Sequence, residues 1–472
     1  MGAASPVDRS RSVPLRRLAE RSGASGATGA VAAGSGTAAA IGFAQLLRGG
    51  SAVDAVLAAA LAETVLLPSK AGLAGDLVAL VHRAGGAPEA LTAIGPAPAG
   101  LADLAVARGW RMPLTGGPAV GVPGAPAGYA ALAERARLGL GELAAPAIDV
   151  ARAGVAWSRT NVRLVAASAG VLREHQPEGC VFLPASGPRP AGARVRLPGL
   201  ARVLEEFVAR REGLFGAELG AAVVERVRRA GGVLDAHDLA AVAPRAAEWS
   251  PAPVVDLASG PRLWTTPAPS YGTALAEAVA GGGPVPDAVR AALSRMRRDR
   301  TPARSDGTSA VAAVDAEGTS AVVVHSNSFP QFGSGLVVDG YDLVLANRAG
   351  RGFTFVEGHP NAPAPGRRPR TTLHAWALGD PGAPLLLGAT PGGEQQVPWN
   401  AQLLADLLAG VSPDEALVRP RWELDAAGDL RAEGTDLPEL GASSSHVLVG
   451  TGPEGLVSAW ADPRLEGLAV AG

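Results

Sequence analysis

The stretch from Ser305 to Ser328, SDGTSAVAAVDAEGTSAVVVHSNS, sets a hydroxyl where chemistry is possible, because Thr308 follows Gly307 at the head of an alternating strand pattern. Thr308 has two readings. As a β-branched residue it favours the start of a strand. As a nucleophile it needs a base, since a hydroxyl in water reacts weakly. A chain opened before Thr308 would supply that base in the freed α-amine, whose ordinary pKa of about 7.7–8.0 lets it take the hydroxyl proton. One residue would then be nucleophile and base together.

Other reactive side chains carry less signal. Cys180, the single cysteine, sits in EGCVFLP with no motif around it and reads as an inert residue rather than a nucleophile. The seven histidines are scattered. His237, in DAHDLAAV, lies beside a helix start and reads as a capping or surface residue. His325 and His446 fall on strand patterns and read as structural, with the lining of a site as the alternative. The sequence holds no GxSxG elbow, Walker loop, HExxH pair or Cys/His ligand cluster, so a serine α/β-hydrolase, a nucleotide triphosphatase and a zinc enzyme each lack their signature.

Composition narrows the class further. With 472 residues, 47% hydrophobic content and a net charge of -2, the chain can bury a large core. Its 42 basic and 44 acidic residues are dispersed, which argues against nucleic acid or a membrane surface as partner. One cysteine excludes an intrachain disulfide framework and fits a reducing compartment. Abundant Arg, Ala, Gly and Pro beside a single lysine, Lys70, read as GC-rich coding. The first residues lack the apolar run of a signal peptide, and the working expectation is a soluble, cytoplasmic protein.

The elements that must position Thr308 are legible in outline. Residues 1–29 lack periodicity and read as a poorly ordered leader. GTAAAIGFAQLLRGG and SAVDAVLAAALAETVLL predict two buried Ala-rich helices, the second opened by Ser51 with Asp54 three residues on, as in a capping box. GDLVALVHRAGGAPEALTAI predicts a hairpin turning at Gly85-Gly86. Helical spacing dominates from Ala127 to about Gly232, and strand signals return after Trp249. From Thr308 the chain is mainly short strands, broken by one helix at NAQLLADLLAGV. Strands near both ends with helices between them favour an α+β layered fold.

Many stretches in order resemble the γ-glutamyltranspeptidase family of N-terminal nucleophile hydrolases: GGSAVDAVLAAAL, AGLAGDLVALV, VGVPGAPAGYAAL, GGVLDAHDLAAVAPR, TPAPSYG, FGSGLVV, LANRAGRGF, GHPNAPAPGRRPRTT, GATPGGEQQ and SAWADPRLEG. The resemblance runs from about Ala30 to Gly467, and GHPNAPAPGRRPR is similar to a shorter, atypical bacterial branch. It implies a four-layer αββα sandwich and self-cleavage between Gly307 and Thr308. The products would be a large segment, 30–307, and a small β-rich one, 308–472, which stay associated in one intertwined fold; a homodimer is compatible with it. It also implies Thr308 as nucleophile, with Gly392 and Gly393 giving the oxyanion hole. Ser326 would be a second hydroxyl, with Ser328 as the alternative, and Thr371, Thr372, Asn347 and Arg348 would bind substrate. No metal or cofactor is implied. Asp76 is similar to a residue near the floor of the family's site.

The resemblance weakens at the substrate. Ile94, Gly95 and Pro96 stand where relatives that act on glutathione carry an arginine for the glutamyl carboxylate, an exchange that weakens glutamate recognition. LANRAGRGF offers Asn347, Arg348 and Arg351 but lacks the acidic pair that grips the α-ammonium, and arginine there favours an anion. Ala310 replaces a frequent histidine. The expected substrate is a small-molecule amide, of γ-glutamyl or related type, with water or an amine as acceptor. Two alternatives stand: a redirected enzyme acting on a non-glutamyl amide or a carbon–carbon bond, and a catalytically silent homologue serving binding or assembly.

Overall fold

The structure, a computed structural model, describes residues 22–472 apart from 282–284, 299–306, 381–382, 384, 426 and 435–444. Of the leader expected over residues 1–29, residues 1–21 lie outside the described residues. Its last part does not fit that expectation, since Gly23–Gly26 forms a strand paired antiparallel with Val457–Trp460. The segment has no apolar periodicity because its fit depends on smallness. A Cβ at Gly23 would come within 2.8 Å of the Trp460 ring.

Two seven-stranded antiparallel sheets are stacked face to face with helices on both outer faces. The first sheet runs Leu468–Ala471, Gly29–Ala33, Thr308–Asp315, Ser320–Ser326, Asp76–His82, Glu89–Ala93, Ala247–Pro251. The second runs Gly23–Gly26, Val457–Ala461, Val447–Thr451, Leu386–Ala389, Trp376–Gly379, Arg262–Thr265, Val254–Asp256. This is the αββα sandwich. Both sheets mix strands from before and after residue 308, so neither segment on its own completes either sheet.

The strand Thr308–Asp315 shows why the layers form. It alternates between two apolar sets rather than between apolar and polar, as a strand covered on both faces must. Ala310, Ala312 and Val314 join the core between the sheets, where Val322, Val324, Leu387 and Val449 meet them. Val311 and Ala313 join the core under the helices. The main cover there is the helix Ala52–Leu66, buried at every position. Its apolar residues circle the whole axis, which is the pattern of an interior helix. The Ser51 amide donates to Asp54 at 2.8 Å and closes the expected capping box.

The closing motif is held by charge. Arg421 and Arg464 both bond Asp462, and Arg464 also bonds Glu433 at 2.7 Å, all in the interior. Burial pushes Asp462 up, but the two guanidiniums overcome it and hold the carboxyl below the ordinary range. Removing one member strands a buried charge. Asp462→Ala is therefore expected to destabilise the protein by about 3–5 kcal/mol, read as a large fall in melting temperature. Among the described residues no helix is long and apolar enough to cross a membrane.

Candidate active site

The site begins with hairpin register. Val314 faces Ser320 across the turn, and counting outward puts Thr308 opposite Ser326 at the open end of the sheet. The same end row continues with Asp76 opposite Ser326, and Ile94 follows the Leu77–Ala93 pair. Thr308, Ser326, Asp76 and Ile94 thus form one row across four strands. They share the parity of Ala310 and Val324, so they face the space between the sheets. At about 4.8 Å per strand the row is about 14 Å long.

Around the Gly307–Thr308 bond the contacts are close. The Thr308 and Ser326 hydroxyl oxygens are 3.0 Å apart. Ser326 donates its own proton to the Gly307 carbonyl and accepts from the Ser328 amide at 2.8 Å. Ser326 has one proton to give, so Thr308 must be the donor in the bond between the two hydroxyls. Thr308 is 3% exposed, a threonine at a sheet end held within the protein rather than on its surface. Gly307 admits no side chain, since a Cβ there would lie 1.5 Å from the Ser328 carbonyl oxygen. Ser328, the alternative second hydroxyl, has its backbone at φ +68 and its amide on Ser326. Register puts Ser326, not Ser328, beside Thr308.

On the opposite face of the same strands lies a second polar chain. Ser309 pairs in register with His325, whose Nδ1 is 2.7 Å from the Tyr129 hydroxyl and whose Nε2 is 2.8 Å from Glu63. All three are buried. A carboxylate only accepts, so Nε2–H donates to Glu63, while Nδ1 and the Tyr129 hydroxyl share the other bond. Burial, reinforced by Glu63, pushes the Tyr129 phenol up and keeps it protonated. The chain fixes His325, and with it the strand end that carries Ser326.

Asp76 has a partner the sequence did not indicate. Arg348 donates Nε to it at 2.6 Å, and the Gly95 amide donates at 3.1 Å. Burial pushes the Asp76 carboxyl up, while Arg348 and the Gly95 and Gly124 amides pull against it. Arg348, expected to meet a substrate anion, is engaged with the protein's own carboxylate. Asn347, expected to bind substrate, spends both amide protons on the Leu114 and Phe329 carbonyls, at 2.6 and 2.7 Å. Its fold role is to join two loops, and Oδ1 remains as its acceptor. Arg351 lies 5.5 Å from the centre of the Phe329 ring.

Thr371 and Thr372 sit at the matching end of the second sheet, beside the strand Trp376–Gly379. Thr371 bridges to Ser270 and its amide donates to Pro269 at 3.1 Å. The Thr371 hydroxyl accepts from the Leu373 amide and the Thr372 hydroxyl from Gln396, each at 3.2 Å. Each hydroxyl keeps its own proton to donate. Beneath them, Trp376 donates to Asn400, Asn400 donates to His374 Nε2, and His374 Nδ1–H donates to the Thr372 carbonyl. Burial drives His374 down to about 4, so the ring is neutral. Between that value and the ordinary 6.5 the unfolded chain binds a proton that the folded chain refuses. Stability contributed by the neutral ring is therefore lost as pH falls from about 6.5 to about 4, by about 3 kcal/mol in all. His374→Gln is expected to flatten the melting temperature over this window relative to wild type.

Gly392 and Gly393 turn the chain from the strand Leu386–Ala389 into the helix Gln396–Leu408, with φ of +128 and +58. A Cβ on Gly392 would meet the Trp399 ring at 2.2 Å. The Gly392 N–H meets no acceptor among the described residues. A backbone N–H without an internal acceptor is the kind of donor an oxyanion site requires. Cys180 and His237 lie apart from these groups in the fold. Burial pushes the Cys180 thiol up, which disfavours the thiolate, and His237 is exposed.

A buried threonine heading a central strand of an αββα sandwich is the frame of the N-terminal nucleophile hydrolases. The γ-glutamyltranspeptidase model matches residues 38–281 and 286–452, and the chain belongs to that family. The chain is 26% identical to a cephalosporin acylase from Bacillus halodurans, with a TM-score of 0.85 over 100% of this chain and 99% of that one. A structure described as LmbA2991T421A shares the fold at a TM-score of 0.82 and 22% identity, covering 95% of this chain and 99% of that one. A glutathione hydrolase-like YwrD proenzyme of Bacillus subtilis is 30% identical over 194 residues, 36% of each chain. An oxamate amidohydrolase proenzyme of Klebsiella pneumoniae subsp. pneumoniae is 31% identical over 165 residues, 30% of this chain and 31% of that one. The chain spans about a third of the length of the curated relatives it matches.

Proposed function

We propose that this chain is a self-processing N-terminal threonine amidohydrolase or acyltransferase acting on a small-molecule amide. The observation that carries the reading is the contact set at one bond: Thr308 Oγ1 lies 3.0 Å from Ser326 Oγ, and Ser326 donates to the Gly307 carbonyl. In processing, Thr308 Oγ1 attacks the Gly307 carbonyl carbon while Ser326 stabilises charge on its oxygen. The C–N bond breaks, the proton passes to the amine, and water hydrolyses the resulting ester to a Gly307 carboxylate and a free Thr308.

In turnover the α-amine of Thr308 takes the proton from Oγ1 as it attacks the substrate carbonyl. Gly392 and Gly393 supply donors to the oxyanion, and the amine proton goes to the leaving group. The acyl-enzyme ester then passes to water or to an acceptor amine. The cut separates residues 30–307 from 308–472, and the shared sheets hold the two together. Relatives named for a glutathione-type hydrolase, an oxamate amidohydrolase and a cephalosporin acylase support an amide class rather than one acyl group.

A second reading, redirected acyl specificity, is favoured by Ile94. It is fully buried in the end row, three strands from Thr308, where a neutral side chain offers nothing to a carboxylate. Under this reading γ-glutamyl anilides turn over slowly against amides of other acids or against a carbon–carbon bond next to a carbonyl. A γ-glutamyl anilide turned over as fast as the best non-glutamyl amide in a panel would reject it. The silent-homologue reading requires an uncut chain without turnover.

A further inference from the structure

Beside Thr371 the structure opens a cleft of about 350 Å³ whose lining includes Pro269, Asn361, Arg367, Arg368 and Arg370 and no acidic residue. Its size falls within the range of ligand clefts, about 300–1,000 Å³. The arginines are set on braced backbone. The Arg367 carbonyl accepts from the Ala97 amide at 2.9 Å, and Asn361 donates to the Gly352 carbonyl at 2.8 Å. Pro369 packs so closely on Gly352 that a Cβ there would meet it at 2.5 Å.

Arg367 and Arg368 carry charge that a ligand can reach. Arg367 is exposed, donates Nη1 to the Ala362 carbonyl at 2.6 Å, and has no carboxylate within ion-pairing distance among the described residues. Arg368 reaches Glu248 at 2.9 Å, but Glu248 is 63% exposed, so the pair is weak and easily exchanged. Guanidiniums in a concave site match a planar carboxylate in two-pronged fashion. The cleft also adjoins the threonine pair, since Pro269 lines it and accepts from the Thr371 amide.

We propose that this cleft is a second anion subsite, so that the substrate carries two acidic groups, one at Thr371–Thr372 and another on Arg367 and Arg368. The inference rests on the amidohydrolase reading and names its substrate class: amides bearing a carboxylate beyond the one the threonines hold.

The test is binding without turnover. Full-length Thr308→Ala protein is titrated calorimetrically with glutarate, adipate and pimelate and with the monoamide of each. At least one diacid is expected to bind about tenfold or more tightly than its monoamide, with the advantage fading as salt rises. Arg367→Ser with Arg368→Ser should erase that advantage and leave the monoamides and the melting temperature unchanged. Diacids no tighter than their monoamides, or an advantage that survives the double substitution, would overturn the subsite. Self-cleavage of the wild-type chain, followed separately, decides the parent reading, because an uncut chain says nothing against diacid binding.

Discussion

Thr308→Ala is expected to leave the purified chain whole and to lower amide turnover by at least about 10³-fold, since it removes the attacking oxygen from both reactions. The substitution removes only the hydroxyl and the γ-methyl at the end of a strand whose other residues are unchanged, so the fold should persist. Thr308→Ser separates chemistry from structure. It keeps oxygen and amine but loses the branch that stiffens the side chain, so it should still cut itself, more slowly than threonine. Intact mass before and after incubation reads both variants. Equal processing by Thr308→Ala and wild type would remove Thr308 from the mechanism.

Ser326→Ala carries the second large effect. Ser326 is the donor to the Gly307 carbonyl, the acceptor for the Ser328 amide and the neighbour of Thr308 Oγ1. Loss of one preorganised oxyanion donor lowers a rate by about 10²–10³, and processing should slow by that order. The unpaired Ser328 amide adds a stability loss of about 1–3 kcal/mol, so melting and processing are followed together. A Ser326→Ala chain that melts lower yet cuts itself at the wild-type rate would make Ser326 structural only. Ser328→Ala gives the contrast, because its backbone amide survives the substitution and processing should change little.

Much of this arrangement is readable from local pattern. The hairpin from Thr308 to Ser326 follows from two apolar runs and an Asp-Ala-Glu-Gly turn, and its register sets Ser326 opposite Thr308 once Val314 is set against Ser320. The Ala52–Leu66 helix and its capping residues are equally local. What the sequence hides is pairing across distance. Arg348 meets Asp76 over 272 residues, and His325 meets Glu63 over 262. Arg348 therefore reads in sequence as a cation awaiting a substrate, and only the fold supplies its anion.

A usable signal existed for one of these pairs. Glu63 is the one acid besides the capping Asp54 in a wholly buried, largely apolar helix, and a buried carboxylate requires a partner. The strand Gly23–Gly26 gave no such signal, because glycine, alanine and serine pair there through backbone and fit by lacking bulk. Substrate recognition was legible mainly as departure. Ile94 and the acid-free LANRAGRGF segment read in sequence as departures from the glutamate contacts that the family resemblance implies, while the arginine-lined cleft needs the loop 361–370 folded against Pro269 before its residues converge.

The central claim is that the Gly307–Thr308 bond is cut by Thr308 itself. Purified wild-type chain, resolved on a denaturing gel and read by N-terminal sequencing and intact mass, tests it most directly. Two fragments are expected, the smaller beginning Thr-Ser-Ala-Val-Ala-Ala-Val-Asp. A single uncut chain, or a cut elsewhere, would contradict it.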